Sequence, residues 1–170
     1  AVYGSRSDFE PLTESTYCRS DTVYGAEKAR VEALLIKNVN KNLLILRPSN
    51  VFDDIFSGSL LLGKLTKSSR QGNSFYIRNS YAWRDYIHVE DFLTIFFNLV
   101  EMGASGIINI CSGFLFSNKI IVERFCMVRH PLSKCIFLDS EDVSIQNISN
   151  DKMKSVVSLA YSFKCVLDEM

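Results

Sequence analysis

The sequence is poor in the residues that build metal sites, disulfide frameworks and linkers. It has 2 His and 5 Cys. The cysteines stand at 18, 111, 126, 135 and 165, with no C-x-x-C pair. A structural zinc site needs such ligands clustered at short spacing, so no metal is expected. An odd number of widely spaced cysteines fits the reduced thiols of a cytoplasmic protein better than a disulfide framework. Cys111 and Cys126 sit among apolar neighbours and read as packing residues. With 3 Pro and 8 Gly, a collagen-like or Pro-rich chain is excluded. Charge of either sign is not in excess: Lys plus Arg and Asp plus Glu each number 19. That balance offers no electrostatic reason for nucleic acid or an anionic membrane as partner. The richest apolar run, 92–100, is broken by Thr94 and Asn98, well short of the ~18 residues of a spanning helix. The first six residues have no basic stretch followed by an apolar one, so they do not form a signal peptide.

What remains is an ordinary globular composition, 47% hydrophobic and 22% charged. The length suits one domain or part of a larger one. Residues 1–20 are rich in Ser, Thr and Gly and read as loop. Ser20 or Asp21 is placed to cap a helix running to about Asn38, on which Tyr24, Lys28, Val31 and Leu35 share one stripe. The apolar run 43–46, ended by Pro48, reads as a buried strand of a parallel sheet. After a loop at 49–58 come a helix at 59–69, a strand at 74–78 and an extended segment at 86–89. Glu90 and Asp91 open a helix whose apolar face holds Phe92, Ile95, Phe96 and Leu99, and Gly103 ends it. Phe92, Phe96 and Phe97 are expected in the core. A strand at 107–110 follows, then a helix capped by Ser117 and reaching about Val128, a strand at 135–138 and a last helical region capped by Asn150. This alternation points to an α/β protein.

The first chemical candidate is Tyr24 with Lys28. Four residues apart on a helix places the two side chains on one face. A phenol titrates near 10, too high for acid–base work at neutral pH, and a fixed ammonium nearby favours the phenolate. The same ammonium can donate to sugar hydroxyls. By itself the spacing equally describes a Tyr on a buried stripe beside a solvated Lys.

Four further segments stand in register with that pair: Ala1-Val2-Tyr3-Gly4, Ile45-Leu46-Arg47-Pro48-Ser49-Asn50-Val51-Phe52, Arg84-Asp85-Tyr86-Ile87-His88-Val89-Glu90-Asp91, and Ile108-Asn109-Ile110-Cys111-Ser112-Gly113. Together they resemble the extended short-chain dehydrogenase/reductases, specifically the NAD-dependent epimerase/dehydratase family that acts on nucleotide sugars. The resemblance runs from residue 1 to about 157. It implies the C-terminal part of a Rossmann-like doubly wound parallel sheet plus a small α/β substrate-binding region. Residues 1–52 would belong to the cofactor-binding half. Residues 53–170 would form mainly the substrate region, with a strand returning near 84–110. Tyr24 would be the acid/base at the sugar hydroxyl, and Lys28 would hold the nicotinamide ribose. Pro48 would pass the nicotinamide, and Asn50 would bond the substrate. Arg84 would pair with its diphosphate through the guanidinium fork, while Phe75 and Ile77 would lie near the nucleotide base. The implied cofactor is NAD, with NADP as the open alternative, and the partner is a nucleotide-diphosphate sugar. A cytoplasmic homodimer is the expected full-length form.

Other readings of the same residues stay open. Arg84-Asp85 also suits a surface ion pair at a strand end. Asn50 also suits a backbone-satisfying loop residue. Phe75 and Ile77 alternate with Tyr76 as strand core would. His88 reads as a hydrogen-bonded structural residue ahead of the helix.

No Gly-rich pyrophosphate turn occurs in the sequence. The family's catalytic Ser or Thr would precede Ala1. The expectation is therefore a piece that starts just after that residue. The family's usual Gly after Asn-Val-Tyr/Phe is Asp53, and its late diphosphate Arg, ahead of an Asp-Val, is Asp139 before Asp142-Val143. Dehydratase-like relatives carry an acid directly before Val-Tyr-Gly, where this chain has Ala1. That favours a 4-epimerase, with a 4-keto-sugar reductase next. A non-catalytic remnant or nucleotide-sugar binding module is the alternative from another class.

Overall fold

The computed structural model describes residues 1–39, 41–56, 58, 60–129, 134–138, 143–157 and 162–170. His130, Asp139 and Asp142 lie outside the described residues. The elements run in order α1 Val23–Asn38, β1 Leu44–Pro48, β2 Asn50–Phe52, α2 Leu61–Arg70, β3 Phe75–Ile77, β4 Ala82–His88 and α3 Val89–Glu101. They continue with β5 Gly106–Ile110, β6 Leu115–Ser117, α4 Asn118–Val128, β7 Cys135–Phe137, β8 Ser144–Ile145 and α5 Asp151–Val156. The α/β alternation read from the sequence holds.

Three sheet segments carry the chain. β1 pairs with β5 in parallel, Leu46 opposite Ile108 and Pro48 opposite Ile110. β4 is central to the second: β2 and β8 run parallel to it and β6 antiparallel. β3 and β7 pair in parallel, Phe75 opposite Cys135. Parallel pairs need crossover connections. One buried cluster, Ile87, Ile95, Leu99, Ile108, Ile110, Met153 and Val157, seats α3 and α5 against β1 and β5. A second gathers Phe52, Phe56, Leu62, Leu65, Ile77, Tyr86, Ile121, Val122 and Phe125 between α2, α4 and the other strands. A small third cluster, Val2, Tyr3 and Leu12, packs the N-terminal loop against Ala29 and Ile148. The chain passes from the first cluster to the second at β2, returns through α3 and β5, crosses again with α4 and β7, and comes back at α5 before its last residues rejoin the second.

Several local expectations need correction. The cap of α1 is Thr22, whose hydroxyl accepts from the Gly25 N–H at 3.1 Å. Asp21 is occupied by the Ser5 N–H, and the Ser20 hydroxyl donates to the Thr22 carbonyl. The segment 49–58 contains β2, and β6 and β8 are further short strands. Their two or three residues are too few to show a period of two. Phe97 is exposed on the outer side of α3, while Phe92 and Phe96 are half-buried. The cap at Ser117 stands where the sequence placed it, and the cap of α3 is His88, read from the sequence as a hydrogen-bonded residue ahead of the helix. Asn150 precedes α5 without a side-chain cap bond. Among the described residues, no helix is long and apolar enough to cross a membrane. No cluster of three or more His, Cys, Asp or Glu among them is placed to hold a metal.

Candidate functional site

Two adjoining hollows of about 300 and 260 Å³ share Ala1, Tyr24, Pro48 and Ile148. The first extends to Lys28, Glu32 and Arg47, and the second to Ser49, Asn50 and Asp85. Tyr24, Lys28, Pro48 and Asn50 thus line one continuous cleft. Its first wall is α1. Tyr24 is 65% exposed, and the Lys28 ammonium lies 5.4 Å from the centroid of its ring. The helix can come this close to the N-terminal loop because residue 25 is Gly. A Cβ there would collide with the Ser20 hydroxyl and stand 2.5 Å from the Ala1 carbonyl oxygen.

Under the first wall lies a polar network. Arg47, on β1, grips the Glu32 carboxylate with Nε and Nη2, at 3.0 and 2.6 Å to Oε2. Its Nη1 donates to the Tyr3 hydroxyl at 2.7 Å, and that hydroxyl donates to Asn109 Oδ1 at 2.6 Å. Asn109 in turn donates to the Leu12 carbonyl. Burial works against the guanidinium charge, but the bonds to Glu32 and Tyr3 outweigh it and hold the Arg47 pKa above its ordinary value. Glu32 lies one turn beyond Lys28, so this ion pair fixes α1, and with it the face carrying Lys28, onto β1.

The second wall is built around Asp85 of β4, which is 3% exposed. Its Oδ1 accepts from the Ser49 hydroxyl at 2.6 Å and the Ser112 N–H at 3.0 Å. Its Oδ2 accepts from the Ser112 hydroxyl at 2.8 Å and the Gly113 N–H at 2.7 Å. Burial nevertheless raises this carboxyl above the usual range, against the pull of those four donors. Asn50 donates to the Asp85 carbonyl at 3.0 Å.

The remaining candidates lie elsewhere. Arg84 lines neither hollow. Successive strand residues face opposite sides, and its guanidinium donates to the Trp83 carbonyl, the Ser144 carbonyl and the Ser144 hydroxyl at 2.7–2.8 Å. Burial lowers its pKa, with Tyr86 and Asp21 opposing. Arg84 and Asp85 are thus bonded to different groups. Phe75 is half-buried against the second core cluster and Ile77 is buried in it, while Tyr76 between them is exposed. His88 is buried; Nδ1 accepts from the Glu90 N–H, so Nε2 carries the proton and donates to Asp54 at 2.9 Å.

Sequence reasoning quoted Tyr3, Arg47, Asn109, Asp85 and Ser112 inside motifs but gave them no part in the cleft, and it overlooked Glu32. The available signal was positional. Glu32 continues the Tyr24–Lys28 spacing, and Arg47 and Asp85 each adjoin a candidate site residue.

The family model for NAD-dependent epimerases/dehydratases matches residues 1–111. The chain belongs to that family. No curated protein matches the sequence. Among solved structures, dTDP-glucose 4,6-dehydratase from Bacillus anthracis in complex with NAD is 20% identical with a TM-score of 0.82. The alignment covers 99% of this chain and 56% of that one. UDP-glucose 4-epimerase from Thermotoga maritima with UDP-glucose gives 19% and 0.79, covering 99% and 57%. UDP-N-acetylglucosamine 4-epimerase from Methanobrevibacter ruminantium gives 20% and 0.75, covering 96% and 55%. These likenesses show the fold. This epimerase/dehydratase-family chain spans rather more than half the length of those neighbours.

Proposed function

We propose that these residues supply the acid/base pair and the substrate region of a nucleotide-sugar 4-epimerase. Residues 1–52 would face the cofactor and most of 53–170 the sugar nucleotide. The observation that carries the reading is the shared cleft: Tyr24, Lys28, Pro48 and Asn50 line it together. An exposed phenol and an ammonium on one wall fit the ribose end of a nicotinamide cofactor. The pyrophosphate end would need donors that these residues do not offer as a Gly-rich turn.

When bound, NAD or NADP supplies the hydride acceptor and donor. Tyr24 would take the proton of the sugar 4-hydroxyl at its phenolic oxygen and return it after the keto-sugar has turned over. Lys28 would donate to the ribose hydroxyls. Asn50, on β2, would hold the sugar or diphosphate. Arg84 would reach the diphosphate by exchanging its bonds to Ser144, and Phe75 and Ile77 would shape the base side from β3.

The cleft's carboxylates favour epimerisation over dehydration. Glu32 and Asp85 line it, and both are committed, Glu32 to Arg47 and Asp85 to Ser49, Ser112 and Gly113. Ala1 and Tyr24 line the same hollow, and residue 1 is an Ala where dehydratase-like relatives carry an acid. The test is to express the whole open reading frame that encodes these residues. Purified UDP- and dTDP-hexoses are then incubated with it and NAD, and the products are identified by NMR. A C4 epimer of unchanged mass is expected. A 4-keto-6-deoxy product, or reduction of an added 4-keto sugar without epimer formation, would replace this reading.

A further inference from the structure

Cys126 lies in the last turn of α4 and Cys135 is the first residue of β7. Their sulfurs are 2.8 Å apart. A disulfide bond is ~2.05 Å long, so bond formation asks for a movement of less than ~1 Å. Both residues sit on regular elements and are half-buried against the second core cluster, so packing holds the pair in place while leaving it open to a small reagent. Cys111 differs: it is fully buried and donates to the Ile148 carbonyl.

We propose that Cys126 and Cys135 form an oxidisable dithiol, a modification site that reduces a low-molecular-weight disulfide and closes an intramolecular bridge. Burial, and then the neighbouring Cys126 sulfur, push the Cys135 thiol up to about 12, and either cysteine can begin the exchange. The thiolate of the first cysteine attacks one sulfur of the reagent, forms a mixed disulfide and releases one thiolate, which takes up a proton. The second cysteine then gives up its proton to solvent, its thiolate attacks the first cysteine's Sγ, and the second half of the reagent leaves as a thiol. Two thiols are oxidised to one disulfide, and one reagent disulfide is reduced to two thiols. The bridge spans nine positions and ties β7 to α4. Because Cys135 faces Phe75 in the parallel β3–β7 pair, it also fastens the strand that carries Phe75 and Ile77. The inference is independent of the proposed activity.

The test equilibrates the protein with oxidised glutathione, alkylates remaining thiols and maps tryptic peptides by mass. Peptides 125–129 and 135–152 are expected joined, two hydrogen atoms lighter than their sum, while Cys18, Cys111 and Cys165 are alkylated. Cys135→Ser should trap Cys126, and Cys126→Ser should trap Cys135, as a stable glutathione adduct. Should either variant fail to fold, the wild-type map decides alone. Separate glutathione adducts on both cysteines, a bridge to any other cysteine or between chains, or no oxidation of the pair would overturn the proposal.

Discussion

The two walls of the cleft are held in different ways. The Asp85 wall is an interior: a buried carboxylate takes four hydrogen bonds from Ser49, Ser112 and Gly113 and joins β4 to the loops that follow β1 and β5. The α1 wall is nearly a surface. Gly25 is the buried residue of a 16-residue helix, while Val31, Leu34 and Ile36 remain exposed. What fastens it to β1 is a buried ion pair, Glu32 with Arg47, backed by Tyr3 and Asn109. Hydrophobic burial is non-directional, whereas this bidentate pair fixes an angle and a register. The wall that carries the proposed acid/base residue therefore depends on polar geometry more than on apolar area.

The largest effect should come from breaking that fastening. Arg47→Met leaves the part-buried Glu32 carboxylate without its partner and should cost about 3 kcal/mol in urea unfolding, the low end for buried pairs. A loss below about 1 kcal/mol, the range of exposed pairs, would mean that the pair is not an anchor.

Asp85→Asn comes next. An Asn amide would point at least one N–H toward a donor, so about 1–3 kcal/mol should be lost. The pH dependence sharpens the comparison. The folded chain holds the Asp85 proton to higher pH than the unfolded chain. This carboxyl therefore lowers stability as pH rises from its unfolded pKa through its raised folded one. Asp85→Asn should remove that slope from the pH–stability curve, and Arg47→Met should retain it.

The smallest effect is expected on the open face. Leu34 is 53% exposed, and Leu34→Lys should shift unfolding stability by no more than about 0.5 kcal/mol. The same change should reduce self-association in sedimentation, since it breaks an exposed apolar patch. A loss of several kcal/mol would show that α1 is packed after all.

The contrast also explains what was legible in the sequence. α3 could be read from its apolar spacing and the acidic pair that opens it, and α4 from its Ser117 cap. β1 could be read from the apolar run 43–46, and β5 from Ile107, Ile108 and Ile110. On α1 the same reasoning located the helix and its shared stripe, but not the inward face. Tyr24, Val31 and Leu35 are exposed, and the inward positions are Gly25, Ala29 and Glu32. A Glu on a helix ordinarily reads as a solvated face. Its role appears only when β1 delivers Arg47 across 15 residues and the N-terminal loop delivers Tyr3 across 44. Asp85 was hidden for a related reason. Beside Arg84 it reads as half of an ion pair, yet the strand turns the two to opposite sides, and the four donors of Asp85 come from distant loops. Local pattern revealed elements, and motif order revealed the family, but the buried polar contacts belong to the tertiary structure.

The central claim is that Tyr24 moves the proton in a cleft completed by Lys28, Pro48 and Asn50. It is tested most directly by steady-state kinetics of Tyr24→Phe in the protein encoded by the whole open reading frame, with the epimerisation assay as readout. The account predicts a kcat lower by about 10²–10⁴-fold with KM for the nucleotide sugar nearly unchanged, because the phenolic oxygen acts in the transition state. An unchanged kcat, or a loss confined to KM, would contradict it.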